Sequence, residues 1–398
     1  MQNNKSNGKK IGIILGQIRQ MGGVGIAAFE EVRNLRRLGY DAELIILMDV
    51  PGFKYKDFTH GIPIRQLSHE FPKLFQKTFR IPGFSFLSAF HLFTPFLISK
   101  YIKRGEYDFI FAHETYNILS ALKLWQKNRI PYGGFVWDPA SYILPRVYRK
   151  RAVGLLLPIM KPIIKYYDRK LVRHSRFSTV CSNAHYKFVR SLSSRDNIKI
   201  LHPGCDIESE AIPAKRGDYL LALSKWDIGK NPEFFLRVLK KLKNKKVKLI
   251  IAGNWVQEDF RREFISKVKQ YGLGKRIEFI GRVAGEEKNK LFRDARFLIH
   301  PIFEAFGMFA LEAAAWDCAS ILPAGSGVND IFKHGQSGFF PKEGDVTAFA
   351  TCLDKVLADP KLAYDLGYKA RKIAERNTWK HHTDRLAEYI ESSLAKTP

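Results

Sequence analysis

Residues 296–322 read RFLIHPIFEAFGMFALEAAAWDCASIL. RFLIHP is a short apolar strand closed by proline, GMFALEAAAW has the make-up of a helix, and ASIL opens a second strand. A strand, a helix and a strand in such close succession form the crossover unit of a parallel sheet. The loop between them, IFEAF, falls at the C-terminal edge of the first strand, the edge where open α/β sheets bind ligands. Glu304 therefore stands at a ligand-binding edge, and Glu312 lies in the helix beyond it.

The same alternation runs outward from this unit. YLLALS, VKLIIAG and RIEFIG precede it as short apolar strands, each followed by a helical stretch. Nearer the N-terminus KKIGIIL, DAELIIL, YDFIFAH, YGGFVW, FSTVCS and IKILH read as strands. VGIAAFEEVRNLRRLG is an amphipathic helix, with Val24, Ala28, Val32, Leu35 and Leu38 on one side and Gly39 as its stop. PGCDIESEAIPAKRG, residues 203–217, interrupts the pattern with the composition of a linker. The chain of 398 residues exceeds what one core usually organises. The reading is an α/β protein of two Rossmann-like, doubly wound domains, 1–205 and 206–378, with a C-terminal helix over 379–398 that packs back on the first.

A formal net charge of +27, from 66 Lys and Arg against 39 Asp and Glu, favours anionic partners: nucleotides, nucleic acid or an acidic membrane surface. Cys181, Cys205, Cys318 and Cys352 show neither CxxC nor zinc spacing and read as reduced thiols of a cytoplasmic protein. The polar N-terminus and the brief run IGIILG lack a signal-peptide pattern. Residues 81–99 are uncharged over a length that could span a bilayer, but their prolines, serines and His91 point to a buried or interfacial helix.

At the helix start of the opening segment the amides of Phe306, Gly307 and Met308 are first-turn donors, and the helix dipole adds positive potential there, which suits a phosphate. Glu312 is placed to accept from a ribose diol, and Glu304 from sugar hydroxyls. The plainer alternative makes Glu304 a helix cap and Glu312 a solvated side chain.

PIFEAFGMFALEA, residues 301–313, resembles the signature of the retaining glycosyltransferases of family 4, with its two glutamates separated by seven residues. LSKWDIGKNPEFFLRVL, KLIIAG, IEFIGRVAGEEKNKLFRDARFLIHP and HGQSGFF match further family segments in order. The resemblance is strong over residues 218–345 and weaker over 10–202. It implies the GT-B architecture, two Rossmann-like domains facing a cleft. It also implies a nucleotide-diphosphate sugar as donor, UDP- or GDP-linked, with no cofactor and no metal. Lys230 stands at the family lysine and Lys225 where an arginine is common; two such cations can neutralise a diphosphate leaving group. The donor base would lie near Gly281–Val283, with Arg282, the ribose on Glu312 and the reacting sugar on Glu304. In WDCAS, Asp317 replaces the family's usual Gly and Pro as the turn-former, and GSGVND supplies Asp330 as the acid of a later segment.

In the N-terminal half, GQIRQMGGVGIAAFEE carries Gly22 and Gly23, which by resemblance approach donor phosphates or acceptor. Gly23, Gly25 and Ala28 also fit a dinucleotide fingerprint, with Asp49 after the next strand. The long loop from Leu15 to Gly23 argues against it, since that fingerprint turns directly from strand to helix. His113, ending YDFIFAH, resembles the family histidine that faces the donor sugar. Asp138, in FVWDPASY, is an acceptor-side candidate or a turn cap.

Residues 145–176 mix apolar and basic side chains and, with the aromatic run at 84–96, form a candidate surface for anionic lipid. The acceptor would then be a lipid or lipid-linked hydroxyl, and the protein peripheral on the cytoplasmic face of a membrane. The alternative is a helix packed on the sheet with a solvated basic face. A nucleic-acid role is the rival from another class, disfavoured by the lack of RNP aromatics, a GXXG loop or zinc spacing. An epimerase or a phosphorylase on the same fold is a further alternative.

Overall fold

The computed structural model describes residues 8–18, 22–48, 61–73, 94–141, 157–193, 195–207 and 216–395. Asp49, most of the 81–99 run, the 145–156 part of the basic stretch and the centre of the linker lie outside the described residues. The chain forms two compact units: Met1–Pro203 together with Trp379–Pro398, and Gly204–Thr378.

Among the described residues, the first unit is built on seven parallel strands: β1 (Lys10–Leu15), β2 (Asp41–Ile46), β3 (Ile64–Gln66), β4 (Phe109–His113), β5 (Tyr132–Phe135), β6 (Phe177–Val180) and β7 (Ile198–Ile200). Their order is β3-β2-β1-β4-β5-β6-β7. The central strands are buried along almost their whole length, which is why they read as continuous apolar runs rather than alternating ones. Helices α1 (Gly23–Arg37), α2 (Thr94–Tyr101), α3 (Thr115–Asn128), α4 (Leu157–His174) and α5 (Asn183–Arg190) make the crossovers. β3 was not expected from the sequence. Its three residues are each half-buried and carry no apolar period.

Among its described residues the second unit has six parallel strands: β8 (Tyr219–Leu223), β9 (Lys248–Ala252), β10 (Ile277–Ile280), β11 (Phe297–Ile299), β12 (Ser320–Ile321) and β13 (Gly338–Phe339), in the order β10-β9-β8-β11-β12-β13. Between and after them run α6 (Glu233–Lys241), α7 (Glu258–Gln270), α8 (Gly285–Asp294), α9 (Met308–Ala314), α10 (Val346–Ala358) and α11 (Pro360–Ala374). Its core gathers Phe234, Phe235, Leu249, Ile251, Phe264, Phe297 and Leu353. Asp317 turns the backbone before β12 in the left-handed region, φ 54°, a conformation that Asp tolerates better than most residues.

The last helix, α12 (Trp379–Leu394), belongs to the first unit. It lies along α1, and Tyr40 donates to Glu391 at 2.9 Å, with Lys9 on the same carboxylate at 2.5 Å. No helix among the described residues is long and apolar enough to cross a membrane.

Candidate active site

In each sheet the strand order reverses direction once, between β1 and β4 in the first and between β8 and β11 in the second. Adjacent crossovers diverge at such a point, and the C-terminal edge opens there into a crevice. The segments following β8 and β11 carry Lys230 and Glu304, so the sheet itself brings these two residues together from positions 74 apart.

Lys230 ends the 3-10 turn Ile228–Lys230. The Asp227 side chain accepts from the Gly229 amide at 2.8 Å, and Asn231 leaves the turn in the left-handed region. Beneath it Trp226 is fully buried, its Nε1 donating to Ala252 O at 2.8 Å. Backbone bonds from Trp226 N to Asn254 O and from Val256 N to Trp226 O tie this loop to the one after β9. Gly253 makes that contact possible, because a Cβ there would lie 1.8 Å from Ser224 O. Lys225 is exposed at the head of the same loop.

Glu304 is held from both sides. Its Oε1 meets the Lys230 ammonium and lies 2.7 Å from Nε2 of His300, a fully buried ring at the end of β11. Its backbone N–H donates to Ser326 Oγ at 3.2 Å, and its carbonyl accepts from Gly327 N at 3.0 Å. Burial raises the Glu304 pKa, but His300 and Lys230 outweigh it and hold the group well below the ordinary carboxylate range. Burial lowers the His300 pKa against the pull of Glu304, so the ring is neutral near pH 7. The His300 ring packs against Glu304 Oε1 at 2.7 Å without an aligned hydrogen bond. With Oε1 engaged by the Lys230 ammonium and shielded by the His300 ring, Oε2 is the atom left to accept from a ligand. His300 was missed in the sequence reading, although its position four residues before Glu304 was its signal.

Gly307 caps α9 with φ 93°, as a left-handed glycine, and Phe306 beside it is buried. Glu312 leaves α9 half-exposed and lies 3.2 Å from Lys288 of α8; this pairing was also unforeseen. After β9 and β10, a cavity of about 230 Å³ is lined by Gly253, Asn254, Trp255, Phe279 and Arg282. Lys225, Lys230, Arg282, Glu304, Phe306, Gly307, Met308 and Glu312 thus all lie at or beyond one sheet edge, on the segments that follow β8, β10 and β11.

The first unit treats its predicted residues differently. Gly22 is extended, φ −127°, with open space around it, immediately before α1, and Gly23 starts that helix at the β1/β4 switch point. His113 is not presented to a ligand, against the expectation of a group facing the donor. Its ring is fully buried, Nε2 lies 2.7 Å from Glu31 Oε2, and Nδ1 accepts from Trp137 Nε1 at 3.0 Å. Both nitrogens are occupied within the fold, which makes it a structural group there. Asp138 is partly exposed, with Oδ1 3.8 Å from His185 Nε2 and its carbonyl accepting from Thr115 Oγ1 at 3.3 Å. Beside these, Glu114 adopts φ 67°, ψ 142° directly after β4, a strained conformation for a residue with a side chain. All four cysteines are buried and none is in a disulfide.

Comparison with known proteins agrees with this geometry. The family described as Glycosyltransferase Family 4 matches residues 21–209, and that described as Glycosyl transferases group 1 matches residues 206–373. An uncharacterized glycosyltransferase of Methanocaldococcus jannaschii is 30% identical over 155 residues, 38% of either chain. A D-inositol 3-phosphate glycosyltransferase of Stackebrandtia nassauensis is 31% identical over 118 residues, 29% of this chain and 27% of its own. The matches thus span well under half the length of these relatives. Among solved structures, HepE of Anabaena in complex with UDP and glucose superposes with a TM-score of 0.76 at 18% identity, covering 96% of this chain and 100% of its own. Sucrose-phosphate synthase of Thermosynechococcus elongatus does so with a TM-score of 0.75 at 17% identity, covering 98% of this chain and 100% of its own. At that identity the likeness is one of fold, and the fold is the GT-B architecture. With one family description covering each half in turn and the signature glutamate seated at the sheet's switch point, the chain belongs to the group 1 glycosyltransferases.

Proposed function

We propose that the protein transfers a sugar from a nucleoside diphosphate donor to a hydroxyl acceptor, with retention at the anomeric carbon. The observation that carries this reading is the Lys230–Glu304–His300 cluster at the β8/β11 switch point. The donor binds the second unit. Its base takes the cavity beside Gly281 and Arg282, its ribose hydroxyls bond to Glu312, and Glu304 Oε2 accepts from the sugar. Lys225, Lys230 and the amides of Phe306, Gly307 and Met308 meet the diphosphate. UDP is the favoured nucleotide, because HepE binds UDP and UDP-glucose on the same fold.

As the bond from the anomeric carbon to the phosphate oxygen breaks, negative charge grows on the departing diphosphate. Lys230, released in part from Glu304, stabilises that charge, and such binding lowers the barrier because it is strongest in the transition state. The acceptor hydroxyl attacks the same face and gives its proton to the leaving phosphate oxygen. Gly22, Gly23 and Asp138 are the candidates of the first unit for acceptor and phosphate contacts, and His113 maintains that edge from within.

The acceptor reading is a hydroxyl carried on a lipid at an anionic membrane surface. It is supported by α4, which exposes Ile159, Met160, Ile163, Tyr166 and Tyr167 among Lys161, Lys165 and Lys170. Flotation with anionic liposomes at low and high salt tests it; absence of salt-sensitive capture removes it.

Calorimetric titration with UDP-, GDP- and ADP-sugars, beside Glu312→Ala, tests the donor assignment. One donor should bind saturably and weaken in the variant. Anomeric analysis of the product by NMR separates transfer with retention from epimerisation or phosphorolysis. Salt-steep RNA binding without any nucleotide-sugar binding would instead favour the nucleic-acid reading.

A further inference from the structure

The N-terminal ends of β6 and β7 lie at the sheet edge opposite the one that carries Gly22, His113 and Asp138. There the first unit holds two adjoining cavities, of about 500 and 530 Å³, which share His174 and Arg195. Arg169, Arg173, Arg176, Arg195 and Lys199 line them, against Asp196 as the one carboxylate among the lining residues.

The walls of this groove are pinned. Asn197 Nδ2 donates to Val172 O at 2.9 Å and to Ser175 O at 3.0 Å, fastening β7 to the end of α4. Arg195 Nη1 donates to Arg173 O at 2.5 Å. The Arg176 guanidinium lies 5.5 Å from the centre of the Trp125 ring, and Trp125 and Tyr389 offer flat apolar faces to the same space.

Other cations of this chain lie against carboxylates, as Arg65 does with Glu70 and Glu106, and Lys267 with Glu233 and Glu263. Among the described residues no carboxylate pairs with Arg169, Arg173, Arg195 or Lys199. Their concentration of charge also contributes to lowering the His174 pKa, behind the larger effect of burial. Like charges gathered in a pocket repel one another, and an anion offsets that cost. Guanidinium forks match phosphate oxygens in pairs, and the volume leaves room for the group that carries the phosphate.

We propose that this groove is a phosphate-binding site of the first unit, distinct from the residues that meet the donor diphosphate in the second, and that it takes a phosphate ester through Arg169, Arg173, Arg195 and Lys199. The ester is either a lipid headgroup, reached along the exposed face of α4, or a free phosphorylated ligand. The site is defined by its own residues and holds whether or not the glycosyl-transfer reading does.

The test uses the full chain and the double variant Arg173→Glu/Lys199→Glu, neither of whose side chains bonds the backbone of the groove. Inorganic pyrophosphate is titrated calorimetrically. Vesicles of phosphatidylglycerol and phosphatidylcholine are compared with pure phosphatidylcholine by co-sedimentation. The wild type should show two classes of pyrophosphate site, one of which weakens at least tenfold in the variant while the class that depends on Lys230 remains. Loss of that class with vesicle capture unchanged supports the site and makes the ligand a free phosphate ester. Loss of anionic vesicle capture supports it and makes the ligand a headgroup. An isotherm and a vesicle profile both unchanged would overturn it. Should the double variant unfold, Arg169→Gln, on the exposed side of α4, is read the same way.

Discussion

At the residue scale, the arrangement around Glu304 makes its ionisation a property of its neighbours. The carboxylate does its proposed work ionised, so activity falls as pH drops through its pKa, which His300 and Lys230 keep depressed. In His300→Gln that pKa rises towards the ordinary carboxylate value near 4.3, and the acidic limb of kcat/KM moves to higher pH. A limb that stays in place would remove His300 from this role. Lys230→Ala should lose roughly 10²–10³-fold in kcat, the size expected for one preorganised charge-stabilising group; assay under saturating donor checks it.

A second residue-scale cluster is purely structural. Glu31, fully buried in α1, accepts from His113 and lies 2.9 Å from His382 Nε2, while His382 Nδ1 lies 2.8 Å from His202 O. Both nitrogens of His382 face oxygen atoms, so the ring bridges Glu31 and the His202 carbonyl inside the fold. Burial raises the Glu31 pKa, and the two histidines more than reverse it. A depressed folded-state value means that the contribution to stability is complete above the unfolded value, near 4.3, and is lost as pH falls through the folded one. Glu31→Gln should cost about 1–3 kcal/mol at pH 7, the usual loss when buried hydrogen-bonding groups are left without their partner. The measurement is urea unfolding at pH 7 and across the acid range, where the variant should lack this part of the pH dependence.

At the scale of elements, the loop from β11 to α9 is shaped by backbone contacts with the 3-10 turn Gly327–Asp330. Val328 N donates to Phe306 O at 2.8 Å, and a Cβ on Gly327 would lie 2.1 Å from Ala305 O. Gly327→Ala must therefore push away the loop that carries Glu304. We expect a stability loss of about 1–3 kcal/mol, as for other overpacked sites, and a fall in transfer larger than that of donor affinity. Separate measurement of kcat and donor Kd checks the split. The elements themselves were readable where strands formed apolar runs closed by Gly or Pro, as β9, β10 and β11 do. β3 and β13 span three and two residues, too few to show a period, and exist because a neighbouring strand offers them a ladder.

At the scale of the whole molecule, α12 completes the first unit from the far end of the chain. Leu386 and Ile390 are fully buried in it. Leu386→Ala should cost about 2–5 kcal/mol, read as an earlier urea transition of the first unit with that of the second unchanged.

The sequence alone determined the two parallel sheets, the edge on which Glu304, Lys230 and Glu312 stand, and the excess of cationic over anionic groups. These are written in local runs, in the residues that close them and in the spacing of one motif. Only the tertiary structure decided that His300 and Lys230 share one oxygen of Glu304, that Lys288 meets Glu312, that His113 is sealed inside by Glu31 and Trp137, and that five cations from α4, β7 and their connections line one groove. Each of these joins groups from different elements or loops, in some cases more than seventy residues apart. Their pairing depends on which crossovers lie on which face of a sheet, and sequence spacing carries no record of that.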